Sequence, residues 1–298
     1  MANVIKTVVS TGATSGLGFE AIKQLLAQSQ SYHFILGTRD LQRAEKDFGD
    51  LSYDRQKHSL TFLPLQLSDL RTVKTFATQT LEKLGSSKID LLLLNAAINK
   101  PADEPGVNGS KWCETYVVNS LSQHYLTHLL RERVTGRVVV TSSGAMQGVS
   151  GPARVELLDK ELTANSGADS IRTYENTKFT QLLTTHWWRR ELQGQAQVVA
   201  VSPGFIPGTA LTRDAIEKLG KGIFPEAIMK SAKSVPEGAQ SILAAYTRQD
   251  LPEDQRQIFL TSWGEWWATE VLEVSLDTAL QDKWSASLAQ IEREEVVE

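Results

Sequence analysis

A chain of 298 residues that is 41% hydrophobic and 22% charged has an ordinary globular balance and enough length for a substantial core. Its net charge of −4 argues against nucleic acid or an anionic membrane surface as partner, and no apolar run approaches the length of a membrane span. The one cysteine, Cys113, excludes an internal disulfide, and the start Met1-Ala2-Asn3 shows no secretory signal, so the chain is read as cytoplasmic.

The apolar run Val4–Ser10 reads as a buried strand. It leads into Thr11-Gly12-Ala13-Thr14-Ser15-Gly16-Leu17-Gly18, three glycines spaced Gly-x3-Gly-x-Gly, and then into a helix over 17–29. Strand, glycine turn and helix make a phosphate site, because a helix start offers unpaired N–H groups and a positive dipole end. The second strand, His33–Gly37, ends in Thr38-Arg39-Asp40 before a helix over 40–48. A dinucleotide binder that reads a ribose 2′-hydroxyl places an acidic residue at this strand end. Here Arg39 stands there, suited to a 2′-phosphate, so NADPH is expected over NADH. Asp40 is expected to cap the next helix, and an ordinary surface arginine is the alternative for Arg39.

Strand Leu60–Leu65, a helix over 69–84 and strand Ile89–Leu94 follow, the last ending in Asn95-Ala96-Ala97. Asp69 is expected to cap the helix after Ser68. A helix over 110–132 contains Asn119 and precedes strand Arg137–Ser142. On that helix His124 and His128 stand four apart, but a third ligand is missing; they read as helix-surface or core-edge residues, and no metal is expected. Residues 144–171 are rich in Gly, Ala and Ser and are expected to hold at most a short helix. Tyr174-Glu175-Asn176-Thr177-Lys178 opens a helix over 172–192 and puts Tyr174 and Lys178 on one face, where the ammonium is expected to lower the phenol pKa. Strand Ala196–Val201 runs into Pro203-Gly204. Residues 203–235, Pro- and Gly-rich around a helical piece Leu211–Leu219, read as a lid. Helix Pro236–Thr247, strand Gln257–Leu260 and a long amphipathic helix Thr269–Ile291 close the chain.

This alternation predicts a doubly wound parallel α/β sheet of about seven strands, with its ligand crevice at the strands' carboxyl ends. One domain is expected over 1–298, with a core at 3–202, the lid, and closing elements at 236–298. Monomer and homodimer both stay open.

Taken together these motifs resemble the short-chain dehydrogenase/reductase family. They are Thr11-Gly-x3-Gly-x-Gly, Asn95-Ala96-Ala97, Asn119, the Ser143-bearing strand end, Tyr174-x3-Lys178 and Pro203-Gly204, in strict order over roughly residues 3–210. The resemblance implies a Rossmann-type fold and a hydride-transfer site. Tyr174 would be the general acid, and Lys178 would hold the nicotinamide ribose and depress the Tyr174 pKa. Ser143 would bond the substrate carbonyl, and Asn119 would support a water in a proton relay while loosening its helix. Ser143 is preferred to Ser142 by counting along the strand from Arg137. Implied cofactor contacts are Gly12, Thr14, Ser15, Gly16, Leu17 and Gly18 in the first turn, with Arg39, Gln66, Leu67 and Asn95–Ala97 beyond it. Tyr174, Lys178, Pro203, Gly204, Ile206 and Thr209 complete the set. The family commonly has an acidic residue where Gln66 stands, and an amide oxygen can still accept there.

The Ser143–Tyr174 interval of 31 positions looks like the retinol-dehydrogenase and protochlorophyllide-reductase branches. Thr38–Glu45 is similar to their helix opening, and the tail with Ser262-Trp263 looks most like the second branch, which reduces a ring C=C bond in light. That branch's cysteine after Pro-Gly is Phe205 here, which argues against a chlorophyll role. Similar sequences of this size occur among fungal reductases of natural-product pathways. The leading expectation is NADPH-dependent reduction of a ketone or aldehyde on a medium-sized apolar small molecule. Reduction of an activated C=C bond is the alternative, and a non-catalytic NADPH-binding scaffold is a third reading. Phe205, Ile206, Leu211, Ile223, Phe224 and Met229, with Met146 and Val149, either face such a substrate or pack the lid onto its own domain. Trp187 and Trp188 read as core and edge residues. Trp263, Trp266 and Trp267 read as core or interface ahead of substrate binding.

Overall fold

The computed structural model describes residues 4–212 and 226–295. Seven parallel strands form one sheet in the order β3-β2-β1-β4-β5-β6-β7. They are β1 (Lys6–Thr11), β2 (Tyr32–Thr38), β3 (Ser59–Pro64), β4 (Ile89–Leu94), β5 (Val134–Thr141), β6 (Gln197–Val201) and β7 (Phe259–Leu260). The central strands carry unbroken apolar runs because both their faces are covered. Along β4, Leu92 and Leu94 face one core while Leu91 and Leu93 face the other, and β5 divides Val138 and Val140 from Val139 in the same way.

The helices α1 (Gly16–Leu26), α2 (Leu41–Gly49) and α10 (Val235–Thr247) cover the second face. The first is covered by α3 (Leu70–Leu84), α5 (Ser122–Leu130) and α8 (Ser170–Glu191). The strand order turns back between β1 and β4, which opens the crevice where the sequence places it. Asp40 caps α2 through Arg43 N at 3.0 Å, and Asp69 caps α3 through Arg71 N at 3.0 Å, so both acidic side chains are engaged as expected.

Four sequence expectations change. The helix predicted over 110–132 is α4 (Glu114–Tyr116), a π turn over Val117–Leu121 and α5. The 144–171 connection holds a 3₁₀ turn (Gly144–Gly148) and two short helices, α6 (Pro152–Val155) and α7 (Leu158–Leu162). The long closing helix is broken into 3₁₀ turns at Thr269–Val271 and Glu273–Leu276, then α11 (Thr278–Trp284) and α12 (Leu288–Glu294). Asp277 and Ser287 each accept from a backbone N–H three residues on and start a new helix inside the predicted one. Finally, His124 and His128 are buried. His124 Nδ1 accepts from Trp188 Nε1 at 2.9 Å, and both Nε2 atoms lie within 3.1 Å of the Ala286 carbonyl, so the pair anchors the α11–α12 connection. Burial pushes these imidazoles down to about 3 and about 4, which keeps both neutral. Of the lid region, a short helix α9 (Glu226–Lys230) precedes α10, whose start is a capping box between Ser234 and Glu237. Most of the helical piece Leu211–Leu219, with Ile223 and Phe224, lies outside the described residues.

Arg137 locks α10 to the sheet. Its side chain is buried in β5 and donates to the carbonyls of Ala245 and Tyr246 at 2.7 Å and of Arg248 at 2.9 Å. These acceptors end the helix, where a cation satisfies both orphan carbonyls and dipole. Arg137→Met is expected to cost about 3 kcal/mol, because three buried carbonyls lose their donor at once. Urea denaturation reads this as a lower midpoint at unchanged slope; an unchanged midpoint would contradict the locking role.

Candidate active site

The carboxyl ends of the strands line a cavity of about 1500 Å³. One wall is the glycine turn after β1. Gly12 has φ +63°, and a Cβ there would stand 2.7 Å from Ala96 Cα, so only glycine lets the β1 and β4 ends approach this closely. Asn95 fastens the two ends together, its Nδ2 donating to Gly12 O at 3.0 Å and its backbone N to Thr11 Oγ1 at 3.1 Å. Thr14, Ser15, Gly16 and Leu17 line the cavity at the start of α1. Ser15 is the N-cap residue, yet its side chain makes no cap bond.

Gly18 requires a correction. It is absent from the cavity wall, and a Cβ there would stand 2.1 Å from Gly12 O and 2.6 Å from Asn95 Nδ2. It packs helix against turn and does not face a ligand.

The next strand ends supply a polar corner. Arg39 lines the cavity past β2, and Arg43, which the sequence reading missed, lies one helical turn on. Gln66 and Leu67 follow β3. Gln66 Nε2 donates to Ser68 Oγ at 2.6 Å, which leaves its amide oxygen to accept. Ala96 and Ala97 line the cavity beside Asn95. Ile206 and Thr209 close the same end: Thr209 Cγ2 lies 3.8 Å from the Cβ position of Gly16, and Ile206 packs against Gly238 of α10. Thr212, also missed, donates to Ile206 O and lines the same edge.

The opposite end holds Ser143, Tyr174 and Lys178. Ser143 follows β5 and lines the same wall as Tyr174, with its hydroxyl accepting from Ala145 N at 3.2 Å. Ser142 also borders the cavity, but its Oγ is buried and unpartnered among the described residues. Asp169 caps α8 through Arg172 N at 2.8 Å and sets the helix that carries Tyr174 and Lys178 one turn apart. Lys178 is buried and donates to Thr141 O at 2.9 Å and Gln181 Oε1 at 3.1 Å. Burial holds its ammonium down to about 7.

The expected lowering of the Tyr174 pKa is not met. Burial pushes the phenol up to about 12, against a smaller downward pull from Ser143. The Lys178 nitrogen lies 5.6 Å from the ring centroid and its bonds go elsewhere, so its charge is not delivered to the phenol oxygen. A phenol held up in this way keeps its proton at neutral pH and can donate it.

Asn119 sits in the π turn behind this wall, fully buried. Its Oδ1 accepts from Ile98 N at 2.8 Å, and its Nδ2 donates to Ile98 O at 2.9 Å and Thr177 Oγ1 at 3.1 Å. The side chain therefore ties the β4 extension to α8. Its backbone carbonyl accepts from Gln181 Nε2 at 2.9 Å, so Gln181 bridges Asn119 and Lys178. Sequence reasoning missed Gln181, although it stands three residues after Lys178 on the same helix face.

The substrate end also differs from expectation. Pro203, Gly204 and Phe205 line it, but Met146 and Val149 are buried in the core beneath the 3₁₀ turn and do not reach the cavity. A tight turn points Ala145 and Gln147 outward and Met146 inward, an arrangement no periodicity in the segment announces. Trp263 and Trp267, read as core or interface, form part of the cavity wall, while Trp266 packs beside Arg248. Trp188 is buried in the core and Trp187 packs partly buried at its edge.

The described residues contain no group of three or more His, Cys, Asp or Glu that could hold a metal, and no helix long and apolar enough to cross a membrane. The residues present do fit a dinucleotide. The crowded turn at Gly12 leaves backbone beside the N–H groups that open α1, Arg39 and Arg43 line the corner past β2, and the cavity has room for a second molecule.

Residues 6–153 match the family profile described as short chain dehydrogenase. The chain is 52% identical over 290 residues to a short-chain dehydrogenase/reductase of Pestalotiopsis microspora, covering 96% of this chain and 98% of that one. It is 26% identical over 305 residues to a chloroplastic protochlorophyllide reductase of Daucus carota, covering 94% and 74%. Among solved structures it is similar to an NADPH-bound carbonyl reductase from chicken fatty liver. The TM-score is 0.64 at 20% identity, over 89% of this chain and 94% of that one.

Proposed function

The chain belongs to the short-chain dehydrogenase/reductase family of oxidoreductases, and from that premise we propose that it is an NADPH-dependent carbonyl reductase acting on a ketone or aldehyde of a medium-sized apolar small molecule. The observation that carries this reading is the Tyr174 phenol, holding its proton on one wall with Ser143, across one cavity from the glycine turn. Bound NADPH would supply the hydride that the carbonyl carbon accepts. Ser143 donates a hydrogen bond to the carbonyl oxygen and so stabilises the charge that develops there. Tyr174 gives its proton to that oxygen as the C=O π bond breaks, and the product is an alcohol. Lys178 holds the nicotinamide ribose hydroxyls, with its position set by Thr141 O and Gln181. Gln181 in turn is held by the backbone of Asn119, whose side chain fixes the β4 extension, so Asn119 acts here as a positioning residue.

The preference for NADPH rests on Arg39 in the cavity wall, together with Asp40, which is engaged as a helix cap and does not line the cavity. Arg39→Ala is expected to reduce kcat/KM with NADPH about tenfold or more, the loss of one charge-assisted phosphate contact, and to leave NADH turnover nearly unchanged. Steady-state kinetics with both cofactors check it; equal losses with both would remove Arg39 from the phosphate site.

A further inference from the structure

The substrate end of the cavity has a composition of its own. Trp267 stacks on Phe259 at 4.5 Å between centroids and 16° between planes, which anchors it in the core through β7. Its ring edge lies 3.4 Å from the Cβ position of Gly144, the residue directly after Ser143. Trp263 stands edge-on to it at 6.4 Å, is 62% exposed, and is held in orientation by its Nε1 donating to Glu265 at 3.0 Å. An exposed indole beside a half-buried one, both on the wall next to the carbonyl-binding serine, offers π surface to a ligand.

Glu175 follows Tyr174 and lines the cavity. A Cβ at Gly148 would stand 2.4 and 2.5 Å from its two oxygens, so the turn keeps a glycine where the carboxylate sits. Its nearest cation, Arg172, is 3.8 Å away and half exposed. Half-burial pushes this carboxyl above its ordinary range, as expected for a charge short of donors. Gln147 lines the same cavity, its Nε2 donating to Gly144 O at 3.4 Å. An aromatic surface with one under-supplied acceptor at its margin suits a flat conjugated ring that carries a hydroxyl donor.

We propose that the substrate is a planar aromatic ketone bearing a hydroxyl group, its ring against Trp267 and Trp263 and its hydroxyl donating to Glu175. This names the substrate class of the reductase reading and rests on it.

Three ketones of matched size test the proposal: α-tetralone, a ring-hydroxylated α-tetralone, and the saturated α-decalone. Their dissociation constants are measured by calorimetry on the NADP⁺ complex, and their turnover with NADPH separately. The hydroxylated aromatic is expected to bind about tenfold more tightly than the decalone. Trp263→Ser, at an exposed position that leaves the core intact, is expected to remove most of the aromatic preference without changing decalone binding. Trp267→Leu should remove the rest. Glu175→Leu, which removes the acceptor, should abolish only the advantage of the hydroxyl. Equal affinity for decalone and tetralone in the wild type, or equal losses for all three ligands in Trp263→Ser, would overturn the proposal. Binding in the expected order without consumption of NADPH would sink the reductase reading and leave the ligand class standing.

Discussion

Tyr174→Phe is expected to lower kcat for ketone reduction about a thousandfold, on the order of 4 kcal/mol of transition-state stabilisation, while NADPH affinity changes less than about threefold. The separation follows from the geometry. Lys178 donates to Thr141 O and Gln181 and not to the phenol, so removing the phenol oxygen leaves the glycine turn, Arg39 and Lys178 in place. Phenylalanine fills the same space on α8, so the fold is kept. The same geometry fixes the pH behaviour. A group held up to about 12 is protonated throughout the neutral range, so the wild-type rate of reduction carries no Tyr174 break between about pH 6 and 10. Alcohol oxidation needs the phenolate and rises with pH over the same interval. Single-turnover kinetics check the first statement and paired pH profiles the second. Normal turnover by Tyr174→Phe would remove the residue from the chemistry.

The second large effect is Gly18→Ala. A methyl group at this position meets Gly12 O at 2.1 Å and Asn95 Nδ2 at 2.6 Å, both backbone or tightly held atoms. It must push α1 away from the turn and break the Asn95–Gly12 bond that joins the β1 and β4 ends. Overpacking together with a lost buried hydrogen bond is expected to cost about 3 kcal/mol and to abolish NADPH binding. Gly16→Ala is the control. Gly16, unlike Gly18, has positive φ (+52°), but its Cβ would meet only Thr209 Cγ2, at 3.8 Å, so about 1 kcal/mol of backbone strain is expected. Thermal denaturation with and without NADPH separates the two: Gly18→Ala loses the stabilisation by cofactor, and Gly16→Ala keeps part of it. Equal behaviour would show that the turn tolerates a side chain at Gly18.

The contrast between Gly16 and Gly18 also marks what the sequence conveys. The central strands were legible because Ile89–Leu94 and Val138–Val140 are apolar without alternation, which only a strand covered on both faces sustains. The placing of Tyr174 and Lys178 on one helix face follows from their spacing alone. The caps at Asp40 and Asp69 follow from residue type just before a periodic run. Distant contacts were not legible. The glycine spacing does not say that Gly18 meets Gly12 O. The i, i+4 spacing of His124 and His128 does not say that Ala286, far along the chain, covers them. Spacing places Lys178 near Tyr174, but the depth of burial, which sets both pKa values, belongs to the assembled wall. Met146 was misplaced because a 3₁₀ turn has no sequence period long enough to reveal its inner side. Trp263 and Trp267 were undervalued because β7 is only two residues long, and its position beside β6 decides where the following loop goes.

The central claim is that a hydride reaches a carbonyl carbon while Tyr174 protonates the oxygen. The most direct measurement uses NADPH deuterated at the transferred position of C4 and an enone that offers both a C=O and a C=C bond, with the product read by mass spectrometry and NMR. The account predicts an allylic alcohol with one deuterium on the carbinol carbon. A saturated ketone with deuterium on the former alkene carbon, or bound NADPH that no carbonyl panel consumes, would contradict it.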